Sequence, residues 1–169
     1  PPARPPSSTH MSPDASSFPL QALLEKELEL AFFVPMLIGH GGNCGGQAVS
    51  TVIRALGIKG GKGGKGGKGS GASQMVINEA VAGVLQSIVL AATFAPVLLF
   101  IMGISRRVVV VVCLSMPALG LLANALGAAL PFVVTRMGQD PAVIVGPLMT
   151  TLVDTLGLAI YLGIATVYL

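Results

Sequence analysis

Charge is what this chain has least of. Of 169 residues only 10% are charged, whereas 53% are apolar; an average soluble domain carries about 25% charged residues. Ten basic and seven acidic side chains are too few to coat a globule of this size in water. They also gather between apolar stretches instead of alternating with apolar residues, as a soluble amphipathic helix requires. Tryptophan is absent and cysteine nearly so. The two cysteines, Cys44 and Cys113, lie inside apolar segments and make no disulfide framework, which leaves the redox compartment open. Catalytic groups are missing too. The two histidines, His10 and His40, stand in a Pro/Ser-rich tail and a glycine run, and no nucleophile pattern such as G-x-S-x-G occurs, so the sequence reads as a non-enzyme with no organic cofactor. No charged n-region precedes an apolar h-region, so no cleavable signal peptide is visible.

What is present is apolar length, with a mean hydropathy of +0.81. Residues 1–19 hold six Pro and six Ser or Thr and lack the apolar periodicity that offsets ordering entropy, so they read as a disordered tail. Residues 20–30 read as a short amphipathic entry helix bearing Glu25, Lys26, Glu27 and Glu29 at a membrane boundary. Four candidate spans follow, at 30–53, 81–104, 108–135 and 141–169, each long enough beside the ~20 residues that cross a hydrocarbon core. The expected fold is therefore an all-α membrane protein of about four transmembrane helices occupying residues 20–169, with the lipid bilayer as its partner. Residues 59–71 form a Lys/Gly-rich linker. It is no phosphate loop, because Lys68 is followed by Gly69 and no buried strand precedes it. The net charge of +3 comes largely from this stretch, so it describes a loop and not a nucleic-acid surface. Arg54 with Lys59, Lys62, Lys65 and Lys68 outweighs Arg106 and Arg107, and the positive-inside rule puts the linker on the cytoplasmic face.

The polar residues inside the spans are the candidates for function. Asp154 is the only charge in the last three spans, and an Asp near the middle of a span costs about 2.5–3.5 kcal/mol on insertion scales. Asp140 stands fourteen residues earlier on the same helix, close to four turns away and about 21 Å along the axis. Pro147, Thr150, Thr151, Gly157 and Tyr161 are expected on the same stripe; interhelical hydrogen bonding is the alternative reading for the two threonines and the tyrosine. In the first span Pro35 and the run from Gly39 through Gly42 and Asn43 to Gln47 are expected to break the helix and to face protein or water, since lipid cannot satisfy exposed backbone. Asn43 and Gln47 are one turn apart and share a face. One carboxylate with neutral oxygen donors suits a hard, strongly hydrated cation such as Mg²⁺. A Zn²⁺ reading would use His40 and Cys44, at i and i+4, but no partner cluster joins them.

The segments AFFVPMLIGHGGNCGGQAVSTVIRALG (31–57) and DPAVIVGPLMTTLVDTLGLAIYLGIA (140–165) resemble, in order and spacing, the membrane domain of the MgtE family of magnesium transporters. The resemblance rests on P-x-x-x-G-x-G-G-N-x-G-x-Q together with D-P-A…G-P…T-T…D-x-x-G-x-x-I-Y and covers about residues 25–169. It implies five membrane helices per subunit and a pore on the two-fold axis of a homodimer, lined by the family's second and fifth helices, with Mg²⁺ selected at an Asp that Asp154 matches. Asp140 matches the Asp of the family's DPA motif and Asn43 the Asn of its GGN motif. Against that pattern four spans are seen here, without the family's first helix or its nucleotide-sensing domains. Eukaryotic solute-carrier relatives carry two such units in one chain, so the implied partner is either a second copy or a second such unit. The expected function is Mg²⁺ permeation through a shared pore. Its rivals are transport of another cation (Zn²⁺, Co²⁺ or Na⁺) and a non-transporting membrane subunit.

Overall fold

A computed structural model describes residues 28–60 and 70–169. They form four long helices: α1 (Leu28–Gly60), α2 (Ser70–Pro96), α3 (Arg106–Arg136) and α4 (Pro141–Tyr168). The expected tail, nearly all of the entry helix and the middle of the linker lie outside the described residues. The linker's two ends are helical instead, because α1 runs on to Gly60 and α2 starts at Ser70. Glu29 continues α1 without interruption.

The connections after α2 are short, which sets α3 antiparallel against both α2 and α4. α2 ends in a π-helical turn, Val97–Ile101, followed by Gly103 at φ +68°; the α3–α4 turn uses Gly138 at φ +74°. Both are left-handed positions that glycine takes without steric penalty. Asp140 then starts α4 as its N-cap: the carboxylate accepts the Ala142 N–H at 2.9 Å and Pro141 fills the first helical position, where its missing N–H goes unnoticed. At the start of α3 the Ser105 side chain makes no cap bond. The Ser105 N–H is satisfied across the bundle by Glu29 Oε2 at 3.1 Å.

Three helices have the length and apolarity to cross a membrane, spanning Gly71–Ile101, Arg106–Arg136 and Pro141–Tyr168. α1 is long enough at 33 residues, but its glycines and amides hold its hydropathy below the other three. The chain is thus an integral, multi-pass membrane protein, and of the described helices α1 is the least apolar.

α3 is the centre. Over its most apolar stretch 56% of residues are buried within the unit, against 17% for α2 and 22% for α4. Its sequence explains why. Two rows of four-residue period are buried throughout: Val108, Val112, Met116, Gly120, Asn124 and Ala128, and beside them Val111, Ser115, Leu119, Ala123, Gly127 and Pro131. Rows of i±4 spacing are the ridges that interlock between crossing helices. Small residues set the approach. A Cβ on Gly120 would overlap Ser87 Oγ and the Gly83 carbonyl of α2, and one on Gly127 would overlap the Gly45 carbonyl of α1. In lipid, where apolar surface alone does not drive helices together, such backbone-to-backbone packing is a main source of association.

The expected break in the first span is not there. α1 is continuous through Pro35 and the whole glycine run. The run stays helical because Gly41 and Gly45 sit where the helix must be thin. A Cβ on Gly41 would lie 2.8 Å from Val153 Cγ1, and one on Gly45 would overlap Met149 and reach 3.0 Å from the Ala123 carbonyl oxygen. Packing against α3 and α4 thus offsets the roughly 1 kcal/mol per residue that glycine costs a helix interior.

Candidate functional site

The remaining glycines of α1 have no such explanation. Gly39, Gly42 and Gly46 have nothing within 4 Å of where a Cβ would stand. They follow one another at helical spacing on the side away from the bundle interior, alongside the exposed Asn43, Gln47, Ser50, Thr51 and Arg54. This face lines two cavities. The larger, about 810 Å³, is bounded by His40, Gly42, Asn43, Cys44, Gly46 and Gln47, continues past Ser50, Thr51 and Arg54, and is closed from α2 by Gln86 and Leu90. The smaller, about 290 Å³, joins Gly42, Gly46, Val49 and Ser50 of α1 to Gly146, Met149 and Thr150 of α4. The smaller cavity thus joins the polar side of α1 to the first half of α4.

Along that half of α4 the hydroxyls turn back on their own helix. Thr150 Oγ1 donates to the Gly146 carbonyl and Thr151 Oγ1 to the Pro147 carbonyl, both at 3.1 Å, which leaves hydroxyl lone pairs directed outward as acceptors. Pro147, exposed in the second turn of α4, withholds an N–H from the turn before it. One turn beyond Thr150, Asp154 is half-buried, and no hydrogen bond or ion pair to another described residue engages its carboxylate. Asp140 lies at the exposed helix start, one oxygen committed to the cap.

Gly157 and Tyr161 lie elsewhere, so the expected common stripe is not met within this unit. Gly157 is buried against Leu119 of α3, and Tyr161, 1% exposed, donates its hydroxyl to the Leu30 carbonyl at 2.9 Å. The buried seam of α4 reads Val145, Met149, Val153, Gly157, Tyr161, Ala165, a strict period of four. Each such step turns about 40° around a helix of 3.6 residues per turn. The seam therefore winds, and it has carried Tyr161 inward where a straight stripe would place it beside Asp154.

Ser50, Thr51, Arg54 and Gln86 are the site residues that sequence reasoning passed over. The first three extend the Gly39–Asn43–Gln47 face by further turns, so helical spacing alone would have found them. Gln86 has a weaker signal, as one of few amides in an apolar span. Among the described residues no three His, Cys, Asp or Glu side chains converge. The arrangement is instead a row of neutral oxygen acceptors along an open face; Asp154 lines neither cavity and stands one turn beyond Thr150, the last α4 residue on the smaller one.

A family model named MgtE and described as a divalent cation transporter matches residues 34–164. The chain belongs to the MgtE family. The match encloses α1 from Val34 onward, the small cavity and α4 past Asp154 and Tyr161 as far as Ile164. Relatives include the magnesium transporter MgtE of Thermus thermophilus, 33% identical over 157 residues, and that of Bacillus subtilis, 32% identical over 146 residues. Another of the same name, from Enterococcus faecalis, is 26% identical over 152 residues. These alignments take in 86–88% of the chain but 31% of each relative, so the chain spans about a third of the length of the MgtE proteins it matches.

Proposed function

We propose that this chain supplies the membrane-embedded part of a pathway for divalent cations, with Mg²⁺ as the cargo. The observation that carries the reading is the open face of α1. Gly39, Gly42 and Gly46, with no neighbour to accommodate, run along α1 beside Asn43 and Gln47, and Gly42 and Gly46 border both cavities, the smaller one shared with Gly146 of α4. Exposed backbone and amides are costly against hydrocarbon, and a water path beside them removes that cost. The relatives' names, magnesium transporter, point to the same ion.

The residues divide the work by charge. Asp154 supplies the carboxylate; Asn43, Gln47, Thr150, Thr151 and the backbone left open by Gly39, Gly42, Gly46 and Pro147 supply neutral oxygens. Mg²⁺ sheds water reluctantly and is commonly held by one or two carboxylates through several retained waters. A wide row of acceptors with a single acid suits a hydrated ion. Pairing two copies of this unit, or this unit with a second one like it, would bring two Asp154 carboxylates to one axis and balance one divalent charge. It would also cover the open face of α1. Asp140, at the far end of the same helix, would hold the ion at the cytoplasmic mouth, the side to which the basic 59–71 stretch assigns itself by the positive-inside rule.

Reconstituted chain should pass Mg²⁺ into indicator-loaded liposomes, and Asp154→Ala and Asp154→Asn should each lower that flux by more than about tenfold with insertion unchanged. Wild-type flux in both variants overturns the assignment. Flux of Zn²⁺, Co²⁺ or Na⁺ in preference to Mg²⁺ would replace the cargo, and no flux from the parent chain unless a longer partner is added would make it a membrane subunit.

A further inference from the structure

The transport reading leaves His40 and Cys44 unused, and their geometry does not suit a metal ion. Cys44 Sγ lies 3.7 and 3.8 Å from the two ring nitrogens of His40, beside the ring and in line with neither lone pair. His40 is bonded elsewhere. Its Nε2 stands 2.8 Å from Ser87 Oγ of α2, with both side chains buried, and that bond forms whichever partner carries the proton. Ser87 is a fixed post. Its Oγ lies 2.7 Å from the Gly83 carbonyl oxygen of its own helix and fills the space that Gly120 of α3 leaves for it. α1 and α2 otherwise touch little, each packing on α3, and the large cavity lies between them.

The depth of this bond in the bundle gives it a meaning. Leu30 meets Tyr161, Gly41 meets Val153 and Gly45 meets Met149, so α1 and α4 run antiparallel in one register. That register sets His40, next to Gly41, at the level of Asp154, next to Val153. Two consecutive residues therefore fix α1 at the level of the carboxylate: His40 ties it to α2, and Gly41, by having no side chain, admits α4. We infer that His40 and Ser87 are positioning residues for the cation site, their bond holding the open backbone of α1 around Gly39 and Asn43 at a set distance from Asp154. Donors kept at a fixed separation let a pathway recognise a hydrated ion by size. Without the bond α1 is free to move into the cavity that parts it from α2, and the spacing is lost. The cation in this inference rests on the transport reading, whereas the tie between α1 and α2 does not.

The test measures flux into indicator-loaded liposomes over a range of Mg²⁺ concentrations. His40→Leu, which keeps bulk and loses the bond, and Ser87→Ala should each raise the half-saturating Mg²⁺ concentration about threefold or more, with a smaller change in maximal flux. The double variant should add nothing further, because both changes remove one bond. His40→Gln, whose amide reaches equally far from Cβ and can bond Ser87, should restore the parent value. A second measurement needs no flux. Spin labels at Thr51 of α1 and Ile77 of α2, in nanodiscs and in a Cys44→Ser, Cys113→Ser background, report the separation of the two helices. His40→Leu and Ser87→Ala should shift or broaden that distance, and His40→Gln should not. Unchanged distances overturn the tie; changed distances with an unchanged half-saturating concentration overturn its role at the cation site. A chain whose distances respond as expected and which passes no Mg²⁺ under any condition refutes the transport reading and leaves the tie standing.

Discussion

Within one stretch of α1 glycine serves two opposite purposes. Gly41 and Gly45 are the thin points at which α3 and α4 press against the helix, whereas Gly39, Gly42 and Gly46, interleaved with them, meet nothing. The first set is explained by the chain itself. No contact among the described residues explains the second. Identical residues on one helix are thereby sorted by what stands opposite, and the sorting separates fold from function more sharply than any composition does.

The largest effect should follow from blocking the packed side. Gly127→Leu drives a side chain into the Gly45 carbonyl and the Ala48 methyl, and should cost more than about 3 kcal/mol, enough that the helical unit fails to assemble. Denaturant titration in micelles would show it, and a parent-like midpoint would mean that α1 and α3 do not approach as described. The matched change on the open side is Gly46→Leu. It should alter stability by no more than about 0.5 kcal/mol while strongly reducing Mg²⁺ flux, since the new side chain fills both cavities that Gly46 borders; unaltered flux would remove the open face from the pathway. The smallest effect belongs to the end of the winding seam. Tyr161→Phe deletes one interhelical hydrogen bond and should lower stability by about 0.6–1.7 kcal/mol, leaving flux near the parent value. A large flux loss at unchanged stability would restore Tyr161 to the ion path.

Much of this architecture is legible in the sequence. The three most apolar helices follow from hydropathy, the two left-handed turns contain glycine, and Asp140 with Pro141 announces the start of α4. The glycine run was misread for a definite reason. Propensity counts each glycine as a helix breaker, but the compensating contacts come from Ala123, Met149 and Val153, which are 78 to 112 residues away in sequence from Gly41 or Gly45. Nothing local reveals them. The polar stripe of α4 failed in part because the burial of a helix depends on its crossing angle. A seam at a period of four takes Thr150 outward and Tyr161 inward, although 3.6-residue arithmetic sets them almost in line. Thr150 and Thr151 are exposed and Asp154 half-buried, whereas Gly157 and Tyr161, further along the same helix, fall on the buried seam.

The Tyr161–Leu30 and Glu29–Ser105 bonds both lie at the same end of the bundle, where α1 begins, α3 begins and α4 finishes. At the opposite end α1 and α4 are held together by van der Waals contact around Val49, Val145 and Met149. Any motion that keeps both bonds must pivot about the closed end, as tweezers do. Leverage then favours the far tips, where a small rotation of α4 against α1 becomes its greatest displacement, beyond Gly146 toward Asp140. On α4 the Asp140 end would thus swing furthest, Asp154, halfway along the helix, less, and Tyr161 at the pivot least.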